Sequence, residues 1–294
     1  MKKQLLLPLV SVAGGAAALV LRLLQNKTGF EAATGLPIPG NAPGLALAAL
    51  LAALFIGLCL LARLVPVEDE DGPVFPDDFR TQNAALVTLP VLGVFLMAAS
   101  GVLDIASGAA LMNALEETAG PDGPTVIWSA WGTASTLTFT PKARILAGAL
   151  ALAGAVSLFP AAACCRCRPG ARPRTISPTL LLAAPVCMVA RLVLAYRVDS
   201  VNPALQAYYV EILALTFLTL ALYRLSGFAC RAAKTRRFAV YAGAAAALCI
   251  AALGDGEGLS ALLLYAGGAA VALGFLLLWL TEGRSVSEIV ESGG

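Results

Sequence analysis

The stretch AVYAGAAAALCIAALGDGEGLSALLLYAGGAAVALGFLLLWLT, residues 239–281, decides the fold of this chain. Two long apolar runs flank the turn 254–258, whose glycines permit a chain reversal and whose carboxylates favour water. A bilayer core needs roughly 20 apolar residues per helix, because lipid offers the backbone no hydrogen-bond partner. The stretch therefore predicts a helical hairpin that crosses a membrane twice.

The same pattern recurs along the whole chain. The composition is 59% hydrophobic and 13% charged, against about 45 to 50% and about 25% in soluble domains. We therefore predict an all-α, polytopic transmembrane bundle that occupies residues 1–294 as one integral membrane domain, with the lipid bilayer as its main partner and no separate soluble domain. The predicted spans are residues 4–24, 43–65, 84–110, 143–163, 178–197, 204–226, 237–254 and 259–281.

The distribution of lysine and arginine predicts the orientation. If the N-terminus is cytoplasmic, fourteen of the 20 basic residues fall in or beside cytoplasmic loops, as the positive-inside rule requires. Residues 1–24, basic and then apolar, are interpreted as an uncleaved first span. Both termini are thus predicted in the cytoplasm. The dominance of Ala, Gly and Leu, together with more arginine than lysine, favours the plasma membrane of a bacterium.

Three loops carry features of their own. The acidic loop 66–80 is interpreted as a solvated charge run, with contact to a basic partner as the alternative. Trp128 and Trp131 in the outer loop are typical of interfacial anchors. The alternative is that this loop forms a lid over a substrate. Cys164, Cys165 and Cys167 lie among arginines, which lower thiol pKa values. We interpret that run as a basic segment beside the membrane with incidental thiols, and reactive or metal-binding thiols as the alternative.

Comparison of the two halves of the chain raises the hypothesis of an internal duplication of four plus four spans, residues 1–163 and 177–282. Arg22 and Arg191 lie at corresponding positions of the first and fifth spans, and Asp104 and Asp255 at corresponding positions of the third and seventh. Such halves would be parallel repeats related by an axis along the membrane normal. Chance matching remains the alternative, because alanine, glycine and leucine dominate both halves.

A few ionisable residues lie within the predicted spans, where a charge costs roughly 2.5 to 3.5 kcal/mol at the membrane centre. Arg191 and Glu211 lie at similar depths on two consecutive spans that a short connection joins, so we predict an ion pair between them. The candidate residues for ligand binding or for a buried ion pair are Asp104, Arg191, Glu211, Tyr208, Arg144 and Arg22.

These residues support two interpretations. They could line an outward-facing polar cavity among the third, fifth and sixth spans, or they could form buried pairs that only fix the register of the helices. Arg22 is expected to extend its side chain to the membrane surface, as arginines near span ends do. A sixth-span face with Tyr208 and Glu211 is mixed polar, as expected for a face turned towards the bundle.

The sequence excludes several kinds of chemistry. It contains no histidine, which removes the commonest metal ligand and general base, and no phosphate loop, nucleophile elbow or zincin motif is present. We expect no metal, no cofactor and no nucleic-acid partner. The leading hypothesis is a transporter-like or small polar ligand-binding membrane protein. The alternative is a non-transporting partner or regulatory subunit that contacts another membrane protein through its charged cytoplasmic loops, and an enzyme using Asp104 or Glu211 is the least favoured.

Overall fold

A computed structural model describes residues 5–31, 38–63, 75–118, 141–166, 176–199, 209–255 and 258–282. Within these ranges the chain forms eight long apolar helices, each able by length and hydropathy to cross a bilayer. The helices are α1 Leu6–Thr28, α2 Ala42–Ala62, α3 Ala84–Thr118, α4 Pro141–Cys164, α5 Pro178–Asp199, α6 Tyr209–Ala229, α7 Thr235–Ala252 and α8 Leu259–Glu282. The prediction of an all-helical, eight-span bundle is confirmed.

Consecutive helices run in opposite directions, so the bundle has two faces. We call the face at which α1 begins the inner face, after the predicted orientation, which stays a prediction, and the opposite one the outer face. Helices α7 and α8 are the most enclosed: α7 packs against α1, α2, α6 and α8, while α8 also packs against α3.

Glycines allow the closest helix contacts. A Cβ built on Gly93 would lie 2.7 Å from the carbonyl oxygen of Gly267, and one on Gly101 would lie 2.7 Å from that of Gly148. Neither position has room for a side chain, so the backbone of α3 lies directly against α8 and α4. Small residues play this part in membrane bundles because close packing, and not the hydrophobic effect, holds the helices together.

An aromatic cluster fills the inner end of the bundle. Phe79 is fully buried and its ring lies 5.2 Å from that of Phe228, edge to face, and 6.1 Å from that of Phe275. The backbone N–H of Phe75 donates to the carbonyl of Phe228 at 3.3 Å. Segment 75–81 between α2 and α3 therefore packs into the bundle through its phenylalanines, whereas residues 66–74 of the acidic loop lie outside the described residues.

The cysteine run of the inner face is described only in part, because Cys167 lies outside the described residues. Cys165 is fully buried, and its thiol lies 3.3 Å from the carbonyl oxygen of Ala161. Burial raises the pKa of this thiol far above its usual range, against the opposing effect of Arg80. Cys165 is therefore a packing residue with a protonated thiol, and the reactive alternative finds no support at this position.

Candidate functional site: an outer layer of buried charge

Asp104 is the centre of the first charged cluster. It lies on α3, one turn after Gly101, where α3 and α4 come so close that a Cβ on Gly148 would lie 2.8 Å from that of Asp104. Only 4% of the residue is exposed. A carboxylate so enclosed has lost its water and is stable in ionised form only with charged or hydrogen-bonding partners.

Two arginines from two other helices supply those partners. Arg191 of α5 places Nη2 3.0 Å from Oδ2 of Asp104, and its Nη1 donates to the carbonyl of Ala147 on α4 at 2.9 Å. Arg144 of α4 approaches the other carboxylate oxygen less closely, with Nε 4.0 Å from Oδ1. In ordinary ionised forms the cluster has two positive groups and one negative, so it carries an excess of positive charge.

The predicted ion pair between Arg191 and Glu211 is wrong. Glu211, in the first turn of α6, instead accepts a hydrogen bond from the hydroxyl of Tyr265 on α8 at 2.5 Å. Equal depth on consecutive helices was the basis of the prediction, but the direction of a side chain around its helix decides its partner. Arg191 extends towards α3 and α4, not towards α6.

Arg22 forms a second charged cluster. Its guanidinium pairs with Asp255, which follows α7, and donates to Oε1 of Gln25 at 2.9 Å. The same group lies over the ring of Tyr209, 5.5 Å from the centroid. Arg22 is only 1% exposed, so the expectation that it extends to the membrane surface is wrong.

The hairpin turn between α7 and α8 is tied to the end of α1. Asn26 donates from its amide to the carbonyl of Gly254 at 2.7 Å, beside the ion pair of Arg22 and Asp255. The turn lies where the sequence predicts it, but the carboxylate of Asp255 is buried instead of facing water. Its Oδ2 has no hydrogen-bond partner among the described residues. Glu211 lies near enough to interact with it electrostatically, so this cluster brings two carboxyl groups and one guanidinium together.

The two clusters lie in the outer part of the bundle. Helices α3, α4, α5, α6 and α8 follow one another in a ring, each packed against the next. Each contributes one of the polar side chains to the outer half, namely Asp104, Arg144, Arg191, Glu211 and Tyr265. The pair of Arg191 and Asp104 joins two helices that are not adjacent in this ring, so it crosses the interior.

Of the six candidate residues, the structure brings three together, Asp104, Arg144 and Arg191. Arg22 and Glu211 belong to the second cluster, and Tyr208 lies outside the described residues. Sequence reasoning missed Tyr265 as the partner of Glu211 and Asp255 as the partner of Arg22. A tyrosine in an apolar helix gives little indication in the sequence that it pairs with a charge. Asp255 could have been recognised as a buried partner, because it corresponds to Asp104 in the compared halves.

The fold and its outer layer of charge define a multi-pass α-helical membrane protein. No known family model, curated protein or solved structure matches this chain.

Proposed function

We propose that the outer charged layer binds a small anionic or zwitterionic solute, in a protein that acts as a transporter or a solute-binding membrane protein. The observation that carries the proposal is the uneven charge around Asp104. One carboxylate faces two guanidiniums, and the more distant of these, Arg144, keeps about 28% of its side chain exposed. An anionic group of a solute would complete the charge balance there.

Arginine suits this role because its planar guanidinium presents paired N–H donors to a carboxylate or phosphate. Arg191 is already engaged by Asp104 and the carbonyl of Ala147, so it holds the site in shape. Arg144, at 4.0 Å from the carboxylate, has donors left for a ligand. The carboxyl group of Glu211, which accepts a hydrogen bond from Tyr265, would favour an ammonium group, so an amino-acid-like zwitterion is the solute class that we propose.

The rival interpretation is that the ions fix the helix register and bind nothing. A binding screen separates the two. Purified protein in nanodiscs is titrated calorimetrically with zwitterionic amino acids, dicarboxylates and phosphate, and the same solutes are offered to proteoliposomes in an uptake assay. Binding of one class, followed by its uptake, supports a transporter, and binding without uptake supports a solute-binding protein.

A matched pair of variants tests the residue. Arg144→Gln removes one charge-assisted hydrogen bond, worth about 1.5 to 3 kcal/mol, so affinity should fall by about 10- to 150-fold. Lys142→Gln removes an exposed positive charge two residues away on the same helix and should change affinity less than about threefold. Equal losses in the two variants, or no binding by any solute class, would contradict the proposal.

The alternative of a regulatory subunit has one supporting observation. Arg231, Lys234 and Arg237 are exposed at the inner face, in and beside the turn between α6 and α7. Such a basic group suits an acidic segment of another membrane protein. Replacing the three residues with glutamine should then abolish copurification of a stoichiometric partner and leave solute binding unchanged.

A further inference from the structure

One oxygen of the buried carboxyl group of Asp255 has no partner, and the proposed solute site does not use it. Asp255 follows α7 at the outer face, and only 5% of its side chain is exposed. Its Oδ1 pairs with the guanidinium of Arg22, whereas Oδ2 is buried and has no hydrogen-bond partner among the described residues. A buried carboxylate oxygen without a donor costs free energy, so a positively charged ligand at this atom would be favoured.

Two carboxyl groups and one guanidinium meet around the turn between α7 and α8. The titratable side chains around Asp255 are those of Arg22 on α1, Tyr209 and Glu211 on α6 and Tyr265 on α8. The arginines of α7 lie in its first turn, at the opposite end of the helix. If both carboxyl groups were ionised, the cluster would hold one unbalanced negative charge, and a single proton would neutralise it.

The two carboxyl groups have different surroundings. Glu211 is partly exposed and accepts a hydrogen bond from the hydroxyl of Tyr265 at 2.5 Å, a length typical of a hydroxyl that donates to a carboxylate. Oδ2 of Asp255 has neither water nor a donor. Asp255 also lies just beyond the C-terminal end of α7, where the helix dipole disfavours a negative charge. The neutralising proton therefore belongs on Oδ2 of Asp255.

A proton suits this position better than a metal cation. A cation held by oxygen ligands needs about six of them, and the described residues contain no cluster of three acidic, cysteine or histidine side chains. The carbonyl oxygen of Gly254 already accepts a hydrogen bond from Asn26 at 2.7 Å. Arg22 occupies the other oxygen of Asp255. A proton needs only the one oxygen that is left.

We propose that Asp255 binds one exchangeable proton at Oδ2, and that the ammonium group of a zwitterionic solute displaces it. The first half stands on the turn alone, and the second half rests on the proposed function. With the proton bound, Glu211 balances the charge of Arg22, which keeps its hydrogen bond to Oδ1. An ammonium group beside Glu211 adds a positive charge, so the O–H bond of Asp255 breaks, its electron pair stays on Oδ2 and the proton leaves to the outer solution.

The exchange works in both directions. Since binding free energies are reciprocal, the proton lowers the affinity for the solute by the same factor by which the solute lowers the affinity for the proton. Couplings between two sites in one protein typically amount to about 5- to 150-fold. A transporter with this site would exchange one proton for each solute molecule.

Infrared difference spectroscopy tests the proton site without any solute. The full chain in nanodiscs is titrated from about pH 5 to about pH 9, and the C=O stretch of buried carboxylic acids is followed. We expect a band that disappears as the pH rises and that is missing from Asp255→Asn. Glu31→Gln removes an exposed carboxyl group just beyond α1 and should leave the band unchanged. If Asp255→Asn keeps every such band, the proton site is overturned.

Glu211→Gln provides a second test that leaves Asp255 in place, and it decides the matter if Asp255→Asn does not fold. Without the neighbouring negative charge the proton is held less tightly, so the band should persist and disappear at a pH lower by about one unit. An unchanged titration of the band in this variant would overturn the proposal.

Calorimetry tests the exchange with the zwitterionic amino acids of the binding screen. Titrations in buffers of different protonation enthalpy give the number of protons released, which should approach one per bound solute at acidic pH, where affinity should rise about tenfold per pH unit. Binding without proton release would overturn the exchange, and so would an affinity that depends on sodium instead of pH when choline replaces sodium. Absence of solute binding with the infrared band intact would refute the proposed function and the exchange, and would leave the proton site established.

Discussion

Neutralising Asp104 is expected to destabilise the bundle by an amount that the geometry bounds. Asp104→Asn keeps the shape of the side chain and leaves Arg191 without its negative partner. Breaking a buried ion pair in this way costs about 3 to 5 kcal/mol in soluble proteins, whereas hydrogen bonds inside membrane proteins have averaged about 0.6 kcal/mol. In the variant, Arg191 still donates to the carbonyl of Ala147, and about 12% of its side chain is exposed. We therefore expect the free energy of unfolding to fall by about 2 kcal/mol, between those limits.

A double-mutant cycle measures how much of that loss belongs to the pair. The single variants Asp104→Asn and Arg191→Gln and the double variant are unfolded with SDS in mixed micelles, and refolding establishes that the transition is reversible. The double variant should be more stable than additivity predicts, with a coupling free energy of about 1 to 2 kcal/mol. The excess over additivity arises because the second substitution removes a charge that the first left unpaired.

A second cycle provides the control. Glu211→Gln combined with Arg191→Gln should be additive within about 0.5 kcal/mol, because Glu211 pairs with Tyr265 and not with Arg191. A coupling below about 0.5 kcal/mol in the first cycle, or a larger value in the second than in the first, would refute the assignment of Arg191 to Asp104.

Three further predictions concern other parts of the bundle. Arg22→Ala should lower the free energy of unfolding by about 3 kcal/mol, because it leaves a buried carboxylate unpaired, whereas Lys27→Ala on the exposed side of the same helix should change it by less than about 0.5 kcal/mol. Phe79→Ala should lower it by about 3 to 5 kcal/mol, since a fully buried ring leaves a cavity in the aromatic cluster. In variants that keep one cysteine each, a maleimide should label exposed Cys230 rapidly and Cys165 hardly at all up to pH 9, because the raised pKa keeps the latter protonated through the pH at which an ordinary thiol ionises.

Each of these predictions has a contrasting outcome. Phe95→Ala truncates a ring that is 56% exposed on α3, so it should hardly change the free energy of unfolding in lipid. A loss equal to that of Phe79→Ala would show that burial in the aromatic cluster adds no stability. A membrane-impermeant maleimide also tests orientation, because Cys230 lies at the inner face. Labelling of Cys230 in intact cells, without permeabilisation, would contradict the predicted cytoplasmic side.

The sequence predicts the helices well because lipid imposes one simple requirement on them. The predicted fourth span, 143–163, differs from α4, Pro141–Cys164, by one or two residues at each end. The third differs more, since α3 continues from the predicted end at residue 110 to Thr118. Hydropathy reports where a span leaves the apolar layer, and a helix can continue beyond that layer into polar surroundings.

The pairing of the charges could not be predicted in the same way. Depth along a span follows from counting residues, but the neighbours of a helix and the direction of a side chain depend on packing. The comparison of halves held a signal for the correct pairs: Arg22 corresponds to Arg191 and Asp255 to Asp104. Each arginine pairs with the aspartate of the other half. The duplication itself stays a prediction, because α3 and α7 have different packing partners.

The inner segment 75–81 illustrates a further limit. Carboxylates on both sides of Phe75 make the loop look solvated, and two phenylalanines among acidic residues do not form a helical or strand-like pattern. Their burial becomes evident only when the ends of α6, α7 and α8 leave a space for them. A short buried loop of this kind depends on the assembled bundle and has no local signature.

The link between α1 and the α7–α8 turn sets an order of events during synthesis. Arg22 and its partner are separated by 233 residues, and ribosomes add about 5 to 20 residues per second, so roughly 10 to 50 s pass before the aspartate is made. During that interval the arginine of the first helix has to be solvated by headgroups or by the insertion machinery. A chain that stops short of residue 255 never acquires this partner, and its arginine at position 22 stays without the carboxylate that balances it in the folded bundle.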